Sequence, residues 1–357
     1  IGGTQWDEGG TIVNASKQIY KFVLFITDFS NPYFNLDLQP PEYYGPFVHV
    51  LVFIPTMFSF IINFFSSLLD PLITVNGSNE IEIALIIRHL MLNIYFCVIL
   101  IFIFKKLKKM INIRLAIIFT ALLLLIPSVN GHALFNLTDI PFAIQYFLAA
   151  IYYIDSINDP QKKIKDNLII GFLFGLVLLI RINAIAFLIT LTIFELFTNE
   201  RIKKKLKTGY SYIRIIQKSL YIYSFSILTW FIGTPSAWKN TINWFLGAYK
   251  WQFNQPNKIP TILNGNISYS HEQGPLMLSK WFAYKLPLGI LIVFIIAVLL
   301  TTKIQNSLFN YSLFFLIYVN LAFLVYRPVF YDEIRHFLFL IPFIVFICSK
   351  LLDHMNK

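Results

Sequence analysis

Long apolar runs dominate this chain, and short basic clusters punctuate them. Residues 308–326 pass without one charged side chain, and residues 286–302 do the same. A water-facing surface needs charge, and an ordinary soluble domain carries about 25% charged residues. Here charged residues make up 13% and hydrophobic residues 57%. That excludes a soluble globular protein. It also excludes a disordered chain, because disorder goes with low hydrophobicity. Strands of a membrane β-barrel alternate over about 10 residues, whereas these runs are unbroken. The expected fold class is all-α, a polytopic transmembrane helical bundle.

The net charge is +11, from 29 Lys and Arg against 18 Asp and Glu. The positive residues sit between apolar runs, in Lys105-Lys106-Leu107-Lys108-Lys109, in Lys162-Lys163-Ile164-Lys165, in residues 201–207 and in the tail with Lys350 and Lys357. Clusters so placed mark cytoplasmic loops, so the charge argues for membrane lipid and not nucleic acid as the partner. Cys97 and Cys348 lie inside apolar runs and read as packing residues rather than a metal or disulfide framework. The chain opens on the polar stretch Ile1-Gly2-Gly3-Thr4-Gln5-Trp6-Asp7-Glu8, as if a first transmembrane helix had preceded it.

Keeping every basic cluster on one side sets the spans. They run over 83–104, 113–127, 140–154, 168–197, 220–232, 288–300, 308–326 and 337–352. The stretch 168–197 is too long for one span and short for two of about 20 residues each. Arg181-Ile182-Asn183 lies at its middle, so it reads as a tight hairpin with that polar tip near the outer surface. The total is roughly nine spans, several of them short. Residues 46–69 also have the hydropathy of a span, but a span there would put Lys105–Lys109 outside. Pro46 and Pro55 interrupt the run, and it reads as an interfacial or re-entrant helix of the first external loop. Two regions follow: an external first loop with interfacial helices, 1–82, and a transmembrane helical domain, 83–357, that includes an external loop at 233–285.

The acids, histidines and arginines that cytoplasmic anchoring does not explain gather in the external segments. Asp7-Glu8 reads either as a solvated acidic pair or as a general base for an attacking hydroxyl or amine. Asp139 stands at the mouth of an inward span with Pro141 behind it, which suits a helix N-cap and equally the wall of a polar cavity. Arg181 either snorkels to headgroups or receives a lipid-linked phosphate, whose oxygens a guanidinium fork matches. Tyr331-Asp332-Glu333-Ile334-Arg335-His336 precedes the last inward span. It offers either interfacial anchoring or phosphate and leaving-group contacts through Arg335 and His336. Lys280 and Lys285 divide between snorkelling and phosphate binding in the same way. No P-loop, dinucleotide fingerprint, HExxH or zinc spacing occurs, and His132, His271 and His336 are scattered. No cofactor is expected, and the spacing does not support a divalent cation.

Trp6-Asp7-Glu8-Gly9, followed by Pro40-Pro41-x-Tyr43-Tyr44-Gly45 ahead of the interfacial run, resembles the GT-C class of membrane glycosyltransferases. Within that class the chain is most similar to the group of protein O-mannosyltransferases and the bacterial aminoarabinose transferase of lipid A. His132-x-x-Phe135-Asn136-x-x-Asp139-Ile140-Pro141-Phe142 resembles the second-loop signature of bacterial members. Residues 281–289 and Tyr331-Asp332-x-x-Arg335-His336-Phe337 resemble their later loops. The resemblance implies transfer of a sugar from a polyprenyl-phosphate donor outside the cytoplasmic membrane, usually with inversion. The acceptor would be a glycan, lipid or protein. It makes Asp7, with Glu8 beside it, the expected base and Asp139 the second-loop acid. Arg335, His336, Arg181, His132, Tyr331 and Lys285 are then the expected substrate contacts.

A transporter or flippase for lipid-linked glycans is the competing expectation. Transporters concentrate ionisable groups at mid-membrane and often show repeated halves. In this sequence the unexplained charges lie in external loops and no repeat is visible. A non-catalytic scaffold would need no such gathering of acids, Arg and His on one face.

Overall fold

The computed structural model describes residues 77–158, 164–198, 210–234, 237–253, 261–263, 266–269, 277–304, 306–326 and 333–355. Asp7, Glu8, Tyr331 and the expected interfacial run 46–69 lie outside the described residues. The architecture is a helical bundle with one small antiparallel hairpin. Helices α1 (Gly77–Met110), α2 (Ile113–Leu124), α3 (Pro127–Phe135) and α4 (Asp139–Asn158) come first. Helices α5 (Ile164–Ile180), α6 (Ala184–Thr198), α7 (Tyr210–Gly233) and α8 (Thr241–Phe253) follow. Strands β1 (Thr261–Leu263) and β2 (Asn266–Ser268) pair with Ile262 opposite Ile267. Then come α9 (Met277–Lys285), α10 (Leu288–Leu299), α11 (Thr301–Ile304) and α12 (Ser307–Tyr326). A 3-10 helix, Glu333–Leu340, leads directly into α13 (Ile341–Met355).

Among the described residues, every apolar run read from the sequence returns as helix. By length and composition alone, five helices among the described residues can cross a membrane, or six if the bent pair α2–α3 counts as one span. The other runs form helices of 12 to 17 residues, short of the about 20 residues that span a bilayer upright. The segment 128–139, expected as a loop, is largely the helix α3, which turns 73° away from α2. Pro127 causes the turn: it stands at the start of α3, supplies no N–H, and holds Ile126 in an extended conformation (φ −84°, ψ 114°). The expected external loop 233–285 likewise contains α8, the hairpin and α9.

The hairpin inferred for 168–197 is present. Helix α5 ends at Ile180 and α6 begins at Ala184. Gln145 of α4 meets Leu173 of α5, and Asp139 meets Arg181, so α5 runs antiparallel to α4. Phe187 packs on Phe142 and Glu195 on Tyr153, so α6 runs back alongside α4. Helix α7 lies against α5 through a face of small residues. A Cβ at Gly175 would stand 2.3 Å from Thr229 Cβ, and one at Gly171 would stand 2.8 Å from the Ile222 carbonyl. Gly171 and Gly175 are four apart, the spacing that lets membrane helices approach backbone to backbone. Ser226 Oγ closes the contact by donating to the Gly171 carbonyl at 3.0 Å.

Helix α4 and the 334–355 segment form the centre of the bundle, with 83% of each apolar window buried. Between them lies an aromatic core. The Tyr146 ring sits 5.2 Å from Phe315 and from Phe187, and 5.6 Å from Phe343. Its hydroxyl and that of Tyr311 are 2.5 Å apart, and Thr190 Oγ1 lies 3.1 Å from Tyr311, so three buried hydroxyls satisfy one another. The two ends of the bundle differ. At one end Lys106 pairs with Asp155 at 2.5 Å, Asn112 Nδ2 donates to Asp353 at 3.1 Å, and Ser307 donates to Asn158. Lys105, Lys108, Lys109 and Lys350 stand at that end. Toward the same end Lys218 pairs with the buried Glu195 at 2.9 Å, and Tyr153 donates to that carboxylate. The opposite end carries the cluster described next.

Candidate active site

The junction between α3 and α4 is set by one amide side chain. Asn136 caps α3, its backbone N–H donating to His132, and is itself buried. Its Oδ1 accepts the backbone N–H of Thr138 at 3.0 Å and of Asp139 at 2.7 Å. Two orphan amides at the start of α4 are thereby satisfied. Asp139 is the first helical residue, not the cap, and Pro141 follows in a turn where no N–H is needed. The Asp139 carboxylate is therefore released from capping and turned inward, 3% exposed.

Both its oxygens are engaged by guanidinium groups from distant parts of the chain. Arg181, at the α5–α6 tip, donates from Nη2 to Oδ1, and lies within 3.4 Å of Thr138 Oγ1 as well. Arg335, on the 3-10 helix, donates from Nε to Oδ2 at 2.8 Å. Asn136 Nδ2 adds a third bond to Oδ2, also at 2.8 Å. Arg181 further lies over the Phe142 ring, 5.9 Å from its centroid, within cation–π range. Burial is what makes the arrangement consequential. The side chains of Arg335 and Arg181 are 9% and 18% exposed, so neither is an anchor snorkelling to headgroups.

Three of the residues singled out from sequence thus meet on one carboxylate: Asp139, Arg181 and Arg335. His336 follows Arg335 on the same 3-10 helix. His132 is half-buried one turn before Asn136, its Nδ1 3.4 Å from the Asn136 amide. Lys285 is exposed at the end of α9, whose buried Trp281 packs 6.4 Å from Phe337. Cys97 is exposed and Cys348 buried. Among the described residues no three His, Cys, Asp or Glu side chains gather in a metal-binding group.

Three further features stand outside the residues singled out from sequence. Asn136 stood in the second-loop pattern, yet only its bonds show that it frees Asp139 from capping. Asn183 and Thr234 carry buried oxygens, Oδ1 and Oγ1, with no hydrogen-bond partner, and Arg181 Nε is in the same position. Asn183, a polar residue two positions after Arg181 in an apolar stretch, was the available signal. Glu195, an acid within an apolar run, was the corresponding signal for the ion pair with Lys218.

A guanidinium pair held on one carboxylate, with a donor to spare on Arg181, suits an oxyanion at the mouth of a helical bundle. The comparisons with known proteins agree with that chemistry. The family model described as dolichyl-phosphate-mannose-protein mannosyltransferase matches residues 54–248, which include His132, Asn136, Asp139 and Arg181. No curated protein and no solved structure matches the chain. The family match spans more than half of the sequence, and the chain belongs to the dolichyl-phosphate-mannose-protein mannosyltransferase family.

Proposed function

We propose that this chain transfers a sugar from a polyprenyl-phosphate donor to a glycan, lipid or protein acceptor on the external side of the cytoplasmic membrane. Family membership supports the donor class. The observation that carries the rest is the meeting of Arg181 and Arg335 on Asp139, at the end of the bundle away from Lys105, Lys108, Lys109 and Lys350. Basic loops stay in the cytoplasm, which supports an external position for the arginine pair. The donor is half lipid, so its phosphate has to sit at that level.

In the proposed reaction the acceptor hydroxyl or amine attacks the anomeric carbon while the bond from that carbon to the phosphate oxygen breaks. Polyprenyl phosphate leaves with the bonding electron pair, and one displacement inverts the anomeric centre. Arg335 and Arg181 stabilise the negative charge that grows on the leaving phosphate. Asp7, with Glu8 beside it, takes the acceptor's proton. With both oxygens engaged, Asp139 acts by positioning the two guanidinium groups. His336, His132, Tyr331 and Lys285 are proposed as further substrate contacts. No step calls on a metal ion.

The test uses the full chain in lipid vesicles, with polyprenyl-phosphate mannose labelled in the sugar and a mixture of envelope acceptors. Label is expected to leave the lipid for an acceptor, and Asp7→Asn is expected to stop transfer while leaving donor binding intact. Label that stays on the lipid, or crosses the bilayer still attached to it, would refute glycosyl transfer. Undiminished transfer by Asp7→Asn would remove Asp7 from the role of base.

A further inference from the structure

An asparagine in front of a helix ordinarily turns its side-chain oxygen onto the amide of the second or third helical residue. Asn183, directly before α6, does not. The first amides of α6 are already served: Ala184 N–H donates to the Arg181 carbonyl, Ile185 to Ile182 and Ala186 to Asn183, at 3.1, 3.3 and 3.0 Å. The Asn183 Oδ1 is left buried, with no partner among the described residues. Thr234 repeats the pattern. It is 1% exposed, and its Oγ1 is buried without a partner. The two residues leave adjacent helix ends. Thr234 follows Gly233, the last residue of α7, and a Cβ on Gly233 would stand 2.6 Å from Leu179 at the end of α5. Only Ile182 separates Asn183 from Arg181.

A buried polar atom without a partner costs about 1–3 kcal/mol, so two of them at the neighbouring ends of α5 and α7, where Arg181 also stands, call for a ligand. Their chemistry narrows its class. Phosphate oxygens accept hydrogen bonds and suit the guanidinium donors. An amide oxygen is an acceptor and needs a donor, and a hydroxyl side chain can accept as well. A group that offers hydroxyls immediately beside a phosphate fits both halves.

We infer that Asn183 and Thr234 form the sugar subsite of the donor, accepting hydrogen bonds from ring hydroxyls of the sugar while Arg181 and Arg335 hold the phosphate. The subsite rests on the proposed donor class. It assigns discrimination between loaded and spent donor to the α5–α6 tip and the segment after α7. Neither residue touches the reacting bond, and both act in binding.

The experiment measures the affinity of the purified full chain for two lipids, bare polyprenyl phosphate and polyprenyl-phosphate mannose. The variants are Asn183→Ala, Thr234→Val and Arg181→Ala. Asn183→Ala and Thr234→Val are each expected to weaken the sugar-bearing lipid by about tenfold, the worth of one hydrogen bond, and to leave the bare lipid unchanged. Arg181→Ala is expected to weaken both. Thr234→Val is nearly isosteric and removes an unpartnered oxygen, so its melting temperature without ligand should equal or exceed the parent's. Equal affinity of parent and both subsite variants for the sugar-bearing lipid would overturn the subsite, as would parallel losses for the two lipids. A parent chain that binds neither lipid would instead overturn the donor class, and the subsite with it.

Discussion

Asp139→Leu is expected to lose both the fold at the Asp139 end of the bundle and all transfer. The carboxylate is 3% exposed and is the shared partner of Arg181 and Arg335. Leucine would leave two guanidinium groups facing one another across the place the carboxylate had filled. Removing one member of a buried ionic cluster costs about 3–5 kcal/mol. The loss should reach beyond a single contact, because Asp139 ties α4 to the α5–α6 tip and to the 3-10 helix that leads into α13. Asp139→Asn keeps the shape and one acceptor oxygen, so it should fall between parent and leucine variant in both thermal unfolding and transfer rate. A leucine variant that melts with the parent would show that the cluster does not hold that end of the bundle together.

The second large effect is expected at Arg335. Arg335→Ala removes the guanidinium proposed to stabilise the leaving phosphate, and the loss of one such group costs about 10²- to 10³-fold in rate. Arg335→Lys restores a charge but not a planar fork, and a compact ammonium makes no pair of parallel bonds to phosphate, so it should recover only part of the rate. The kinetic pattern matters as much as the size. An interaction that strengthens as charge grows on the phosphate lowers kcat, whereas one made equally to the bound donor raises KM alone. The expected outcome for Arg335→Ala is a fall in kcat larger than the rise in KM. A change in KM alone would place Arg335 in donor binding and leave charge stabilisation to Arg181.

Much of the fold was legible because hydropathy and punctuation are local properties. Unbroken apolar runs dictated helices, and Arg181-Ile182-Asn183 marked the break between α5 and α6. What pairs with what was not local. Asp139 finds Arg181 42 positions away and Arg335 196 positions away, and no spacing rule connects them. The sequence listed all three as candidates but left Arg181 divided between headgroup and phosphate, and its burial against Asp139 and Phe142 speaks only against the headgroup. The mixed polarity of α3, with Ser128, Asn130 and His132, resembles a turn region more than a span, so nothing local marks it as helix. The pairing of Lys218 with Glu195 was invisible for the opposite reason. Each residue reads singly as an interruption in an apolar stretch, and the low cost of the two together appears only when α6 and α7 are side by side.

The most direct test of the site is a density map of the full chain in a lipid nanodisc with bound polyprenyl phosphate. The phosphate is expected between the Arg181 and Arg335 guanidinium groups, with the prenyl tail leaving sideways into the outer leaflet. A phosphate bound at the other end of the bundle, among Lys105, Lys106 and Lys109, with the arginine pair untouched, would contradict the account.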